Sequence, residues 1–248
     1  MHAEPVSIIA VARNGFFFTR LLVEKVREHT RDREYEIIIV DRGSRDGSRA
    51  WLRQQQDVRL MPFAQWRTRG HGHGQAAERA VRKAKFERIV LLDFDAHPIS
   101  PNWLTDSVDL LDSKVRLAGA AFVDQHKGNP HGWYVHPHFM AFFKADLGGL
   151  VVLRKVRGDD TDTGEEATIR MLDAGYGIVR HDMTLCERLR VGHDRVPTEA
   201  GGVFHAWYSS RLEHNEAEVI RETGGQVTIA SYLEPLKARL RQEYGLNY

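Results

Sequence analysis

The chain has 248 residues, 42% hydrophobic and 28% charged, the balance of a soluble globular protein long enough for one large core. Lys plus Arg (35) nearly equals Asp plus Glu (34), so no global field draws it to nucleic acid or anionic lipid, and no run has the length of a transmembrane helix. A lone cysteine, Cys186, excludes an intrachain disulfide and a Cys-rich zinc module and, with no signal-like N-terminus, points to the cytoplasm; 13 histidines keep a transition-metal site in play.

Val6 to Ala12 reads as a buried strand ending in the turn Arg13-Asn14-Gly15. Phe16 to His29 follows as a helix with Phe17, Leu21, Leu22 and Val26 on one side. Tyr35 to Val40 is a second strand that stops at Asp41, where the polar loop Asp41-Arg-Gly-Ser-Arg-Asp46-Gly-Ser48 leads into a helix through Trp51. Val58 to Met61 is a third strand, Arg67 to Gly74 a loop of Arg, Gly and His, and Gln75 to Lys85 a helix. Ile89 to Leu92 is a strand aliphatic enough to be covered on both faces, and Pro98 is expected to stop it soon after. This β-α-β-α-β-α-β order predicts an α/β fold with a doubly wound, mostly parallel sheet and right-handed crossovers.

The second half is less regular. The pattern predicts a helix over Pro101–Leu111, a strand over Leu117–Val123, a His-rich loop over Gln125–His138 and a strand over Phe139–Phe143. An acidic loop, 157–164, precedes a helix over Glu165–Ala174 that Gly175 ends, followed by a short strand over Ile178–His181. Residues 211–241 read as mostly helical, interrupted near Gly224-Gly225 and Pro235. Residues 1–124 and 125–248 are expected to form two halves of a single domain, and oligomeric state is left open.

Asp93 and Asp95, spaced i, i+2, fall at the carboxyl end of a buried strand, where open α/β sheets bind ligands. Two carboxylates that close repel unless a cation lies between them, and a hard divalent ion holding a substrate's phosphates suits the place. An Asp-rich turn is the plain alternative. Asp41 and Asp46, also just beyond a buried strand, suit ligand contact; Arg13 and the Arg67-Thr-Arg69-Gly-His71 loop could meet phosphates.

Three pieces in this order resemble family 2 glycosyltransferases of the nucleotide-sugar-binding glycosyltransferase A fold: the opening strand into Ala12-Arg13-Asn14-Gly15, Ile37-Ile-Ile-Val-Asp41-Arg-Gly-Ser-Arg-Asp46-Gly, and Leu91-Leu-Asp93-Phe-Asp95-Ala-His-Pro98. The resemblance spans about the first hundred residues, and beyond them only an outline matches. It implies an inverting, metal-assisted glycosyltransferase of hexosyltransferase type, moving a sugar from a UDP-, GDP- or dTDP-sugar to the hydroxyl of a sugar-containing or other small acceptor. It further implies a nucleotide contact from Asp41, a ribose or bridging contact from Asp93, and Mn²⁺ or Mg²⁺ held by Asp95, Asp93 and, late in the chain, His205; Ala12, Arg13, Asn14, Asp46 and Arg69, in the strand end and loops beside them, are the further donor contacts expected. An imidazole among carboxylates tilts the choice towards Mn²⁺.

The family usually shows adjacent Glu-Asp before the helix that here ends at Ala174-Gly175-Tyr176, but in this chain the alignment slips. The base that takes the acceptor's proton is then Asp162, with Glu165 and Glu166 next; as helix-start residues those two also suit the helix dipole without any catalytic role. His131, His136, His138, Trp133, Tyr134, Trp207 and Tyr208 suit an acceptor-side wall better than a zinc site, which their spacing does not support. A sugar-phosphate nucleotidyltransferase lacks support from the opening loop, which has no Gly-rich triphosphate cradle. A non-catalytic binding module would not need the acidic loop.

Overall fold

All seven residues of β1 (Val6–Ala12) are buried, because helices cover both faces of the strand. The computed structural model describes residues 3–63, 72–123, 129–153, 164–191, 197–207 and 209–248. In it β1 pairs parallel with β2 (Tyr35–Asp41), β2 with β3 (Val58–Pro62), and β1 again with β4 (Arg88–Asp93). β5 (Ala96–Pro98) leaves this sheet, β6 (Val115–Val123) and β7 (Trp133–Phe143) return to it, and β8 (Gly177–Asp182) forms its far edge. The order is β3-β2-β1-β4-β7-β6-β8, with β7 alone antiparallel to its neighbours. This is the expected α/β, mostly parallel architecture.

Alternation along β1 feeds two cores. Ile8, Ala10 and Ala12 pack with Phe17, Phe18, Leu21 and Leu22 of α1 (Phe16–His29). Ile9 and Val11 pack on the other face with Ala76, Ala77, Ala80 and Val81 of α3 (Gly72–Lys83) and with Ala167 and Met171 of α4 (Glu165–Asp173). The small residues of α3 let its backbone lie close to the sheet, and each fully buried aliphatic side chain contributes about 1.5–3 kcal/mol. The short α2 (Ser48–Leu52) joins β2 to β3.

A second, four-stranded sheet runs β5-β11-β10-β9, with β9 at Thr184–Leu185, β10 at Thr198–Ala200 and β11 at Val203–His205. α5 (Ser209–Thr223) and α6 (Glu234–Tyr244) close the chain, and a π-helical turn, Ile229–Leu233, precedes α6.

Extended structure ends at Pro98 as expected, although the strand it ends is β5, an edge strand of the second sheet where its missing N–H is tolerated. Three expectations are corrected. Pro101–Leu111 is a set of turns ending in a 3-10 turn at Val108–Leu110, not a helix. Buried Trp103 sends its indole N–H to the His29 carbonyl (3.3 Å), and Arg88 satisfies the Val108 and Leu111 carbonyls, so no α-helical ladder is needed. Residues 133–138 are strand rather than loop, since β7 begins at Trp133. Gly224-Gly225, both at positive φ, do interrupt the C-terminal helices, but Pro235 sits in the first turn of α6, where proline is accommodated.

Candidate active site

β1, β2 and β4 end in register: Ala12 lies opposite Asp41, and Val11 opposite Asp93. β1 is followed by a helix on one face of the sheet, while the helix leading into β4 lies on the other. A crevice therefore opens beyond the carboxyl ends of these strands, the place where α/β sheets bind ligands.

The loops around the crevice are tied to each other. Asn14 and Gly15 both take positive φ (57° and 73°), turning the chain from β1 into α1. The Asn14 N–H donates to Ser44 Oγ (2.8 Å), and Asn14 Oδ1 accepts from the N–H of Arg45 (3.0 Å). Asp46 accepts from the N–H of Phe16 (2.8 Å) and from the Ser48 N–H and hydroxyl (3.1 and 2.6 Å). Asn14 and Asp46 thus fasten the first two loops together, and Arg13 is exposed at the rim. Asp41 is 1% exposed; its Oδ1 accepts from the Ser44 N–H (3.0 Å), and its Oδ2 faces Arg49 Nε at 3.4 Å with no hydrogen bond among the described residues.

The Asp93-Phe94-Asp95 turn is where the chain crosses from the first sheet to the second. Ala96 of β5 pairs with His205 of β11, and the Ala206 N–H donates to the Asp95 carbonyl (3.1 Å), which brings a residue 110 positions away beside the two aspartates. His205 Nε2 lies 3.5 Å from Asp95 Oδ1 and 3.9 Å from Asp93 Oδ2, and one donor atom from each residue lies within 4.8 Å of the other two. Two carboxylates and an imidazole, mutually that close, fit a Mn²⁺- or Mg²⁺-sized ion with positions left open. Asp95 is buried, and its Oδ2 accepts from the Ser209 hydroxyl at the start of α5. Burial alone would push its carboxyl up, but adjacent His205 and the Ser209 hydrogen bond outweigh burial and hold it below the usual carboxylate range. His73, in the first turn of α3, approaches Asp93 Oδ1 from the other side at 3.6 Å.

Aromatic and imidazole rings line the adjoining wall. Between Ala121↔Val135 and Gly119↔Met140, β6 carries one residue and β7 carries four, His136 to Phe139. This bulge, at the position beside Asp93, re-aims His136 and His138. His138 stacks on His205 (centroids 4.2 Å, planes 7° apart), and Trp207 packs against both His205 (4.7 Å) and His136 (5.3 Å). Phe122 and Tyr134 extend the cluster. Two of the expected wall residues lie elsewhere. His131 faces Asp173 (3.7 Å), and Trp133, on the opposite side of β7, lies under the Arg180 guanidinium (5.0 Å).

Asp162, Arg69 and Tyr208 lie outside the described residues. Glu165 and Glu166 open α4 beyond Gly164, whose φ of 95° and whose contacts at an added Cβ (2.6 Å to the Val135 carbonyl) leave room for glycine only. Glu165 is 1% exposed, and Glu166 is bonded to Arg170 (2.7 Å). Sequence reasoning did not find Ser209 or the stacking of His138; the first has no sequence signal, whereas the alternation Tyr134-x-His136-x-His138 is a strand face hidden by Pro137.

Comparison with known proteins bears on this arrangement. The model of glycosyl transferase family 2 matches residues 7–172. No curated protein sequence matches. Among solved structures, a mannosyltransferase from Pyrobaculum calidifontis in complex with GDP-Man and Mn²⁺ superposes with a TM-score of 0.56 at 19% identity, covering 98% of this chain and 76% of its own. Glucosyl-3-phosphoglycerate synthase from Mycobacterium tuberculosis, in complex with Mn²⁺, UDP and glucosyl-3-phosphoglycerate, gives 0.53 at 15% identity over 73% of this chain and 70% of its own. At such identities the likeness speaks to the fold. Among the described residues, no helix is long and apolar enough to cross a membrane.

Proposed function

The chain belongs to glycosyl transferase family 2, and from that premise we propose that it transfers a hexosyl unit from a nucleoside-diphosphate sugar to an acceptor hydroxyl with inversion. Residues 1–124 hold the donor and residues 125–248 the acceptor. The observation that carries the reading is the meeting of Asp93, Asp95 and His205 beyond the strand ends.

In this reading Ala12, Arg13, Asn14, Asp41, Asp46 and Arg69 surround the nucleotide. The buried Oδ2 of Asp41, which faces Arg49 and has no hydrogen bond among the described residues, suits a ribose hydroxyl or base N–H. Asp93, Asp95 and His205 would hold Mn²⁺ or Mg²⁺, which would supply Lewis-acid stabilisation of the departing diphosphate. The bond from the anomeric carbon to the phosphate oxygen breaks, and its electron pair leaves with the nucleoside diphosphate. The acceptor oxygen bonds to the same carbon from the opposite face and gives its proton to a carboxylate. Asp162 is the first choice for that base. Glu165, and then Glu166 with its Arg170 partner, follow. The faces of Tyr134, His136 and Trp207 suit an acceptor ring. The lone buried Cys186 fits a reducing, cytoplasmic setting.

The test is calorimetric titration of UDP, GDP and dTDP into the full chain, with and without Mn²⁺, repeated on Asp95→Ala. Metal-dependent binding of one nucleotide, lost in the variant, is expected; binding of none of the three in the presence of metal overturns the reading. Asp162→Asn should abolish turnover and keep donor binding if that carboxylate is the base.

A further inference from the structure

Family resemblance accounts for a late histidine beside the two aspartates, but not for what surrounds its ring. His205 is 4% exposed and belongs to a three-residue strand with strained chain after it: Trp207, two positions on, has φ 34°, a conformation rare for a bulky residue. Histidine ligands commonly donate their second ring N–H to a carboxylate, carbonyl or water, which fixes the ring. Here His205 Nδ1 is buried and has no hydrogen-bond partner among the described residues. Something other than a hydrogen bond must hold the plane of this imidazole.

We propose that His138 is a positioning residue that fixes the His205 imidazole by face-to-face stacking, with His136 locking His138 in turn. The inference rests on the reading that Asp93, Asp95 and His205 hold a divalent ion. The two rings lie 4.2 Å apart and 7° from parallel, the closest and flattest ring pair in the cluster. His138 is completely buried, and its own orientation is over-determined. His136 Nδ1 accepts from the His138 backbone N–H (3.2 Å), so in the 2.8 Å contact between the two Nδ1 atoms His138 is the donor. Its proton therefore sits on Nδ1, and its Nε2 makes no hydrogen bond among the described residues. Both imidazoles of this pair are placed by the four-residue bulge of β7, without which His138 would continue the regular ladder. Trp207 packs beside the same ring at 4.7 Å, with its plane tilted 49°, and is anchored through its indole N–H to Thr198 Oγ1 (2.7 Å). The His205 ring is thus stacked on one face by His138 and flanked by Trp207, with Nε2 aimed at the carboxylates.

A positioning role predicts an effect on ion binding, where a purely structural one predicts an effect on stability alone. Mn²⁺ affinity of the full chain, read by electron paramagnetic resonance of free Mn²⁺, should fall about 10–100-fold in His138→Ala, the range seen when residues that orient metal ligands are removed. His138→Phe, which restores a flat ring but cannot bond to His136, should recover most of that loss. His136→Phe should weaken Mn²⁺ several-fold with the stack still filled. Melting of each variant without metal shows whether it is folded, and if His138→Ala does not fold, the His136→Phe result stands in its place. Wild-type Mn²⁺ affinity in a folded His138→Ala, or failing that in His136→Phe, with affinity lost in His205→Ala, overturns the positioning role and leaves the ion site intact. If the wild-type chain binds no Mn²⁺ at all, the site reading itself falls.

Discussion

Gly119→Ala tests whether the bulge that builds the aromatic wall is obligatory. Gly119 has φ 150°, outside the comfortable range of an L-residue, and lies on β6 directly opposite the irregular part of β7. A Cβ built there would come 2.1 Å from the Phe139 carbonyl oxygen and 2.8 Å from Val135 Cγ1. The first of these is backbone and cannot swing aside. Two costs add: about 1–3 kcal/mol for the backbone conformation, and about 1–3 kcal/mol for overpacking a filled core. Gly148→Ala provides the control, because Gly148 has φ 89° but nothing within 4 Å of an added Cβ, so it carries only the first cost. Urea unfolding followed by circular dichroism should place Gly119→Ala about 2–6 kcal/mol below wild type, and Gly148→Ala about 1–3 kcal/mol below. Because the bulge carries His136 and His138, Gly119→Ala should also weaken nucleotide and Mn²⁺ binding in whatever fraction folds. Equal losses from the two substitutions would mean that β6 can retreat from Phe139, and the steric argument would be wrong.

Three further outcomes follow from particular side chains. Ser209→Ala removes the only side-chain hydroxyl bonded to buried Asp95 among the described residues; a hydrogen bond to a charged group is worth about 1.5–3 kcal/mol, to be read as a lower urea midpoint, and Mn²⁺ affinity should drop with it. His181 is pushed down mainly by burial, against a smaller opposing pull from Asp106, so in the unfolded chain it takes a proton near pH 6.5 while the folded ring still resists. The unfolded state then binds more protons across that window. Stability from this group is complete above about pH 6.5 and is lost as pH falls through the folded value, by less than the ceiling of about 1.4 kcal/mol per unit because the ring is partly exposed. His181→Phe, which keeps the stacking on Phe139, should flatten the decline in melting temperature between neutral and mildly acidic pH, and an unchanged decline refutes the assignment. Burial, with the charge of Glu199, raises the Cys186 thiol to about 11, so iodoacetamide should leave the native chain unmodified at pH 8 and label it fully in urea.

How much of this was legible in the sequence follows from the range of the interactions. β1, α1 and β2 could be read nearly to the residue, because burial on both faces of a parallel strand leaves an unbroken aliphatic run and α1 repeats its apolar side every three to four positions. Asp41, Asp93 and Asp95 were legible for the same reason: a buried strand ends abruptly at a charge. Failure began where the chain is governed by partners distant in sequence. Pro101–Leu111 has the composition of a helix, but Trp103 and Arg88 fix it as turns through contacts with His29, Val108 and Leu111. Residues 133–138 have the composition of a loop, because Pro137 and two histidines mask the period of two; in the structure Pro137 falls within the bulge, where the ladder is already broken.

The same distinction explains the asymmetry of the site itself. Its carboxylates come from one strand end and its backbone from two neighbouring ones, all within the stretch that matches the family, 7–172. Its imidazole does not. His205 and Ser209 lie beyond that stretch, and they reach the carboxylates because β5 leaves the main sheet and pairs with β11. That pairing is held from behind by the C-terminal helices: the Tyr232 hydroxyl donates to the Ala206 carbonyl, and His97 on β5 contacts the Tyr244 hydroxyl (3.1 Å) on α6. A truncation that removed α6 would therefore act on the candidate ion site without touching a proposed ligand, since the strand that carries His205 would lose its support. Residues 1–124 contain the recognisable half of the site, but the geometry that completes it is set by the last 45 positions, from Phe204 to Tyr248.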